Sequence, residues 1–283
     1  MKLATFTLQG RTRIGVVEGE AILDLSTAAP ALPTDMRSFL EAGEPAMRAA
    51  RAAKGTTIPL AQVRLEAPVM NPSKFLAIGL NYADHIAESK MGTPERQIWF
   101  NKQTTCVNAP NGEVHLPQVS SMLDFEGELG FVIGRKCRHV SKERAHEVIA
   151  GFCIINDVSV RDYQRHAPTM TIGKSFDTHG PYGPWIVTPD EIGDPHTLNL
   201  RTTLNGQVVQ NSNTKHLVFN CYDQIAYLTE AFTLLPGDVI STGTPGGVGM
   251  ARTPPLWMKV GDRVRIEIEK IGAIEQLIVP EPV

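Results

Sequence analysis

Residues 124–134, Asp124-Phe125-Glu126-Gly127-Glu128-Leu129-Gly130-Phe131-Val132-Ile133-Gly134, set a row of acids directly ahead of an apolar run. Residues 129–133 are rich in strand formers and read as a strand. Alternate side chains of an extended chain share a face, so Asp124, Glu126 and Glu128 are expected on one side. Carboxylates held that close repel, and such a cluster must take up protons or a cation. A second apolar run, residues 151–155, ends in Asn156-Asp157 and can deliver a further carboxylate from a neighbouring strand. Oxygen ligands with no adjacent His or Cys suit a hard octahedral cation, Mg2+ or Mn2+, better than zinc. A solvent-facing acidic strand edge is the alternative reading of the same spacing.

The 283 residues suffice for one large domain, or a large domain with a small appendage. A net charge of -3, with acids and bases interspersed, gives no basic footprint for nucleic acid. Cys106, Cys137, Cys153 and Cys221 are widely spaced and form no CxxC pair, which argues against a disulfide framework or structural zinc and for reduced thiols in a cytoplasm. The N-terminus reaches Gln9 and Arg11 before a signal-peptide core could form, and no run is long enough for a membrane span. A soluble, cytoplasmic protein with no membrane partner is expected.

Turn signals at Gln9-Gly10 and Glu18-Gly19 divide residues 2–25 into three short antiparallel strands. Thr34-Asp35 can cap a helix through Phe39-Leu40, and residues 44–54 read as another. Pro59, Pro68, Asn71 and Pro72 then place a boundary near residue 70, giving a small N-terminal α+β module (1–70) and a larger domain (71–283). Further along, Ser141 is expected to cap a helix through Ala150, with Gly151 as its stop. Asn205-Gly206 marks a type I′ hairpin. Thr214 is expected to cap a helix whose stripe Leu217, Val218, Cys221, Tyr222, Ile225, Leu228 and Phe232 is core. A closing hairpin turns at residues 270–272.

His85 and Glu88 stand three apart and are neighbours on a helix, where a carboxylate orients an imidazole and makes it a better base. They precede residues 89–95, a loop with Gly, Pro and charge of the kind that closes over sites. Arg161, Gln164 and Lys174 lie in segments dense in hydrogen-bonding groups. The glycine-rich Gly243-Thr244-Pro245-Gly246-Gly247-Val248-Gly249 has no GK[ST] closure, which argues against a nucleotide; its N–H groups and Thr244 could instead meet a small anion.

Five segments in order resemble the fumarylacetoacetate hydrolase family over roughly residues 70–280: Gly79-Leu80-Asn81-Tyr82-Ala83-Asp84-His85, Phe125-Glu126-Gly127-Glu128-Leu129, Asn156-Asp157-Val158-Ser159-Val160-Arg161-Asp162, Gly173-Lys174-Ser175-Phe176 and residues 242–249. The resemblance implies an α+β, β-dominated fold, a mostly antiparallel β-roll, and a homodimer. It implies that Glu126, Glu128 and Asp157 bind a divalent metal, usually Mg2+, with Mn2+ as the alternative, and that Asp124 does not. It implies that His85 and Glu88 activate water on a segment that orders with substrate, while Lys174, Arg161, Gln164 and Thr244 organise the metal surroundings or contact substrate. A 2-oxo acid chelated by the cation would give an enolate when the bond beyond C3 breaks, stabilised by the metal and Lys174. Hydrolysis of a 2,4-diketo acid of the acylpyruvate type is the first reading, because both dyad residues are present. A 2-hydroxyhepta-2,4-diene-1,7-dioate isomerase, an oxaloacetate decarboxylase or a ureidoglycolate lyase-like enzyme on the same site is the second, and a metal-dependent binding protein without turnover the third.

Overall fold

The computed structural model describes residues 1–89 and 92–282, and it begins with the expected meander, β1 (Lys2–Leu8), β2 (Arg11–Glu18) and β3 (Ala21–Asp24). α1 (Leu25–Ala28) follows, then α2 (Met36–Glu41), capped by the Asp35 carboxylate on the Ser38 N–H, and α3 (Gly43–Ala52). Short strands β4 (Thr57–Pro59) and β5 (Arg64–Glu66) close this part.

The larger part opens with β6 (Phe75–Gly79), α4 (Ala83–Ser89), β7 (Ile98–Lys102), β8 (Val107–Asn108) and β9 (Val114–Leu116). Next come β10 (Leu123–Asp124), β11 (Gly127–Ile133), β12 (Ile149–Asn156), β13 (Ser159–Val160), α5 (Arg161–Gln164) and β14 (Gly180–Val187). The chain ends through α6 (Pro189–Ile192), β15 (Asn199–Leu204), β16 (Gln207–Asn213), α7 (Cys221–Ala231), β17 (Val239–Ser241), β18 (Arg263–Ile268) and β19 (Gly272–Pro280). Asn205 and Gly206 both take positive φ in the β15–β16 turn, as a type I′ hairpin requires.

The main sheet runs β4-β3-β2-β1-β14-β12-β11-β17-β6-β7, with β5 and β8 paired onto its side. A second sheet runs β16-β15-β18-β19-β9. Pairing is mostly antiparallel, with parallel pairs at β17–β6, β14–β8 and β19–β9, so the β-dominated α+β class expected from sequence is the one observed. β11 and β12 are buried along their whole length, which explains why their apolar runs are continuous rather than alternating. On one face Leu129, Phe131 and Ile154 pack against Leu200 and Ile266 of the second sheet and Ile225 of α7. On the other, Val132, Cys153 and Ile155 pack with Leu3, Phe39 and Leu40, so the N-terminal strands share both a sheet and a core with the rest.

Three local expectations are corrected. Asp124 does not share a strand face with Glu126 and Glu128, because the chain turns at Phe125-Glu126 and β10 pairs with β13 in a ladder of its own. Residues 142–148 form a 3-10 helix rather than an α-helix through Ala150, because Ile149 and Ala150 are drawn into β12, with Ile149 opposite Ile133. Thr214 does not cap α7. Its hydroxyl bonds Pro195 and Leu198 instead, and Asn220 caps the helix in a reciprocal box with Asp223, leaving Leu217, Val218 and Phe232 outside it, with Phe232 exposed rather than in the core.

Candidate active site

β11 and β12 pair so that Gly127 faces Asn156 and Glu128 faces Ile155, and just past this register the Asp157 N–H donates to the Glu126 carbonyl at 2.9 Å. That crossing delivers the three acids to one point. One oxygen from each of Glu126, Glu128 and Asp157 lies within 4.8 Å of the others, and all three residues are buried. Gly127 between the two glutamates lies flush against the second sheet. Its N–H donates to Gln210 at 3.0 Å, its carbonyl accepts from Thr244 at 3.1 Å, and a Cβ there would stand 2.3 Å from the Thr202 hydroxyl.

Cations surround the acids unevenly. Lys174 donates to Glu126 at 2.6 Å and to Asp157 at 2.8 Å; Lys102 donates to the other Asp157 oxygen at 2.7 Å and to the Lys174 carbonyl. Arg161 bridges Asp124 at 2.8 Å and Glu126 at 2.6 Å. Burial pushes the Glu126 carboxyl up, but Lys174 and Arg161 outweigh it and hold the group at about 2. Burial disfavours the charged Lys174 ammonium, yet Asp157 and Glu126 raise its pKa, so it stays protonated. Glu128 differs: no described cation pairs with it, and it accepts only from Ser241 and Gly243, each at 2.6 Å. Burial first, then repulsion from Asp157 and Glu126, pushes its pKa well above the carboxylate range. Four carboxylates, counting Asp124, thus face three cations, and the surplus negative charge falls on Glu128. An all-carboxylate oxygen set with one uncompensated charge fits a hard divalent cation.

Glu126, Glu128, Lys174, Arg161, Gln164, Thr244, His85 and Glu88 line one cavity of about 600 Å³, while Asp157, fully buried and paired with Lys102 and Lys174, is not part of its wall. Arg161 keeps one buried guanidinium nitrogen, Nη2, without a partner among the described residues, and Gln164 accepts from its other arm at 2.9 Å. Thr244 is already engaged with Gly127 and Gln210. His85 and Glu88 meet as expected, but at 3.6 Å between Nδ1 and the carboxylate, and Nδ1 is buried with no hydrogen bond. Glu88 instead accepts from the Gly247 N–H at 2.9 Å. The adjoining loop expected at residues 89–95 falls partly outside the described residues.

The glycine-rich loop binds anions, but they are the protein's own. Gly243 donates to Glu128, Gly246 to Asp84, Gly247 to Glu88, and Gly249 with Met250 to Asp124. The sequence reading does not reach Lys102 or the role of Asp124. Lys102 shares the inward face of β7 with Phe100, a lysine in phase with an apolar side chain, and that alternation was its signal. Asp124 accepts from Phe125, Gly249, Met250 and Arg161, and so fixes Arg161 against the loop. No local pattern announces that role.

The fumarylacetoacetate (FAA) hydrolase C-terminal model matches residues 74–279. The chain belongs to the fumarylacetoacetate hydrolase family. A second model, Rv2993c-like, N-terminal, matches residues 1–68. A mitochondrial oxaloacetate tautomerase of Rattus norvegicus is 43% identical over 265 residues, 92% of this chain and 85% of its own. Among solved structures, a 5-carboxymethyl-2-hydroxymuconate delta-isomerase from Mycobacterium smegmatis is 35% identical with a TM-score of 0.81, each chain covered fully. A maleylpyruvate hydrolase from Sphingobium sp. SYK-6, solved with manganese (II) ion and pyruvate, is 34% identical with a TM-score of 0.81, again covering both chains fully. The family members are thus enzymes acting on keto acids, with tautomerase, isomerase and hydrolase among them.

Proposed function

We propose that this chain is a divalent-cation-dependent enzyme that forms and quenches the enolate of a 2-oxo acid, with keto–enol tautomerisation of oxaloacetate as the leading reading. The observation that carries it is the buried cluster of Glu126, Glu128 and Asp157, short of one positive charge and set beside a protonated Lys174. Mg2+, or Mn2+ in its place, held by these three residues would supply Lewis-acid polarisation of the 2-oxo group. Lys174 stabilises negative charge developing on the oxo oxygen, a fixed cation that does not have to reorganise. The free Nη2 of Arg161 is a donor for the substrate carboxylate, and Gln164 holds that guanidinium in place. His85, at the cavity wall, moves the proton to or from C3.

Carbon–carbon hydrolysis of a 2,4-diketo acid of the acylpyruvate type is the second reading, favoured by the His85–Glu88 pair facing the same cavity. There Glu88 turns from Gly247 to His85, and His85 takes a proton from water. We rank tautomerisation first because the likeness to an oxaloacetate tautomerase, at 43% identity, supports it. The test is loss of oxaloacetate enol absorbance beside a panel of acylpyruvates, each with Mg2+ and with EDTA. Turnover that survives EDTA sinks the cation-dependent reading, and turnover of acylpyruvates alone puts hydrolysis first.

Three further sequence expectations belong to this proposal. The homodimer comes from the resemblance. A cytoplasmic setting draws on four cysteines that are all free and buried. The division near residue 70 is a functional one, since every site residue named above lies in 71–283.

A further inference from the structure

The cavity above the carboxylates has a charged floor and an apolar waist. Ile78, Phe100, Met170 and Val248 line it, and Ile98 and Met250 stand exposed at its mouth. Of the cations along its wall, Arg161 is bound to Asp124 and Glu126, and Lys174 to Glu126 and Asp157. Arg165 lines the same cavity, is exposed, and has no ion pair or side-chain hydrogen bond among the described residues. It closes α5 one turn beyond Arg161, so the two residues sit on one face about 6 Å apart along the helix.

We infer that Arg165 anchors a second, distal carboxylate of the substrate, and that the chain therefore prefers short dicarboxylic 2-oxo acids over monocarboxylic ones. The inference rests on the 2-oxo acid reading above. An unpaired guanidinium keeps its planar fork open for bidentate contact with a carboxylate, whereas the floor's cations are already paired with its own carboxylates and offer a second anion little attraction. The apolar waist between floor and mouth suits a plain hydrocarbon spacer. A monocarboxylic acid leaves Arg165 hydrated at no penalty, so discrimination comes from a gained contact rather than from exclusion and is of modest size. The Arg165 backbone N–H, which closes the helix on Asp162 and Tyr163, is independent of the side chain, so replacing the guanidinium leaves the fold intact.

Titration calorimetry with Mg2+ present compares oxaloacetate with 2-oxobutyrate, which carries a methyl where oxaloacetate carries its distal carboxylate. Binding of oxaloacetate about tenfold tighter is expected, with Arg165→Gln losing that preference and Arg165→Lys, which keeps charge without the fork, retaining part of it. Equal binding of both acids by the unaltered protein, or a preference that survives Arg165→Gln, overturns the assignment. Proton exchange at C3 of each acid, followed by NMR above the buffer rate, tests the premise separately. Discriminating binding with no exchange of either acid sinks the enolate reading and leaves Arg165 as a dicarboxylate anchor.

Discussion

The cavity floor and the helix that overhangs it are built differently. On the floor, Asp124, Glu126 and Asp157 each accept from several donors, nearly all buried, and Lys102 and Lys174 are themselves sealed from water. Among the described residues, the side-chain hydrogen bonds that tie α4 to the rest lie nearer the surface: Glu88 to Gly247, Asp84 to Gly246 at 3.3 Å, and Asp84 to Ser212 at 2.5 Å. The difference teaches where each task resides. A floor that must stabilise charge gains from being fixed before substrate arrives, because no reorganisation is then needed. A helix carrying His85 and Glu88 gains from weak fastening, since its pair is not hydrogen-bonded as it stands and must shift to become so.

That contrast can be broken at its strongest point first. Glu128→Gln keeps an acceptor for Ser241 and Gly243 but removes the uncompensated charge. Turnover should fall by about a thousandfold or more, while melting in EDTA stays at or above that of the unaltered protein and Mg2+ no longer raises it. A lower melting temperature in EDTA would mean that Glu128 is structural. Next, Lys102→Met leaves the Asp157 charge buried with one partner fewer, and the loss should be about 3–5 kcal/mol of stability in denaturant unfolding. A change under about 1 kcal/mol would show that the floor is less rigidly interlocked than its hydrogen bonds suggest.

On the overhanging helix the effects should be smaller and confined to chemistry. Glu88→Gln should slow acylpyruvate hydrolysis by about a hundredfold and C3 proton exchange much less, with both rates read on one preparation. If they fall together, the pair serves the enolate step as well. Smallest of all, Ser212→Ala removes one of Asp84's donors and should raise amide exchange across α4 severalfold with little change in melting temperature. Exchange that stays at the unaltered rate would show that α4 is held by something other than Asp84.

The sequence made the floor more legible than its supports. Glu126 and Glu128 are readable because they stand at alternate positions directly ahead of an apolar run, and Asp157 because a second run ends just before it. His85 and Glu88 are readable from helical spacing. Lys102 and the role of Asp124 are not legible because they depend on contacts across 55 and 125 positions of chain, to Asp157 and to Gly249. The glycine-rich loop was read as a ligand cradle when its N–H groups serve internal carboxylates, for the same reason: local pattern names the donors, and only the tertiary path names the acceptors. Helix boundaries failed where strand pairing outcompeted propensity, at Ile149, or where another residue made the better cap, at Asn220. The preference among tautomerase, isomerase and hydrolase is the least legible, since a cation held by three carboxylates beside a lysine suits any reaction that passes through an enolate.

The glycine between Glu126 and Glu128 has a consequence for anyone who would copy this site. Its missing side chain is what allows one sheet to rest on Thr202 and Gln210 of the other. The triplet Glu126-Gly127-Glu128 is therefore a gauge of the gap between two layers as much as a pair of acids with a spacer. Transplanted onto a strand with open solvent behind it, the same three letters would carry the acids but lose the wall that aims them. A successful graft would have to bring the opposing hairpin with it.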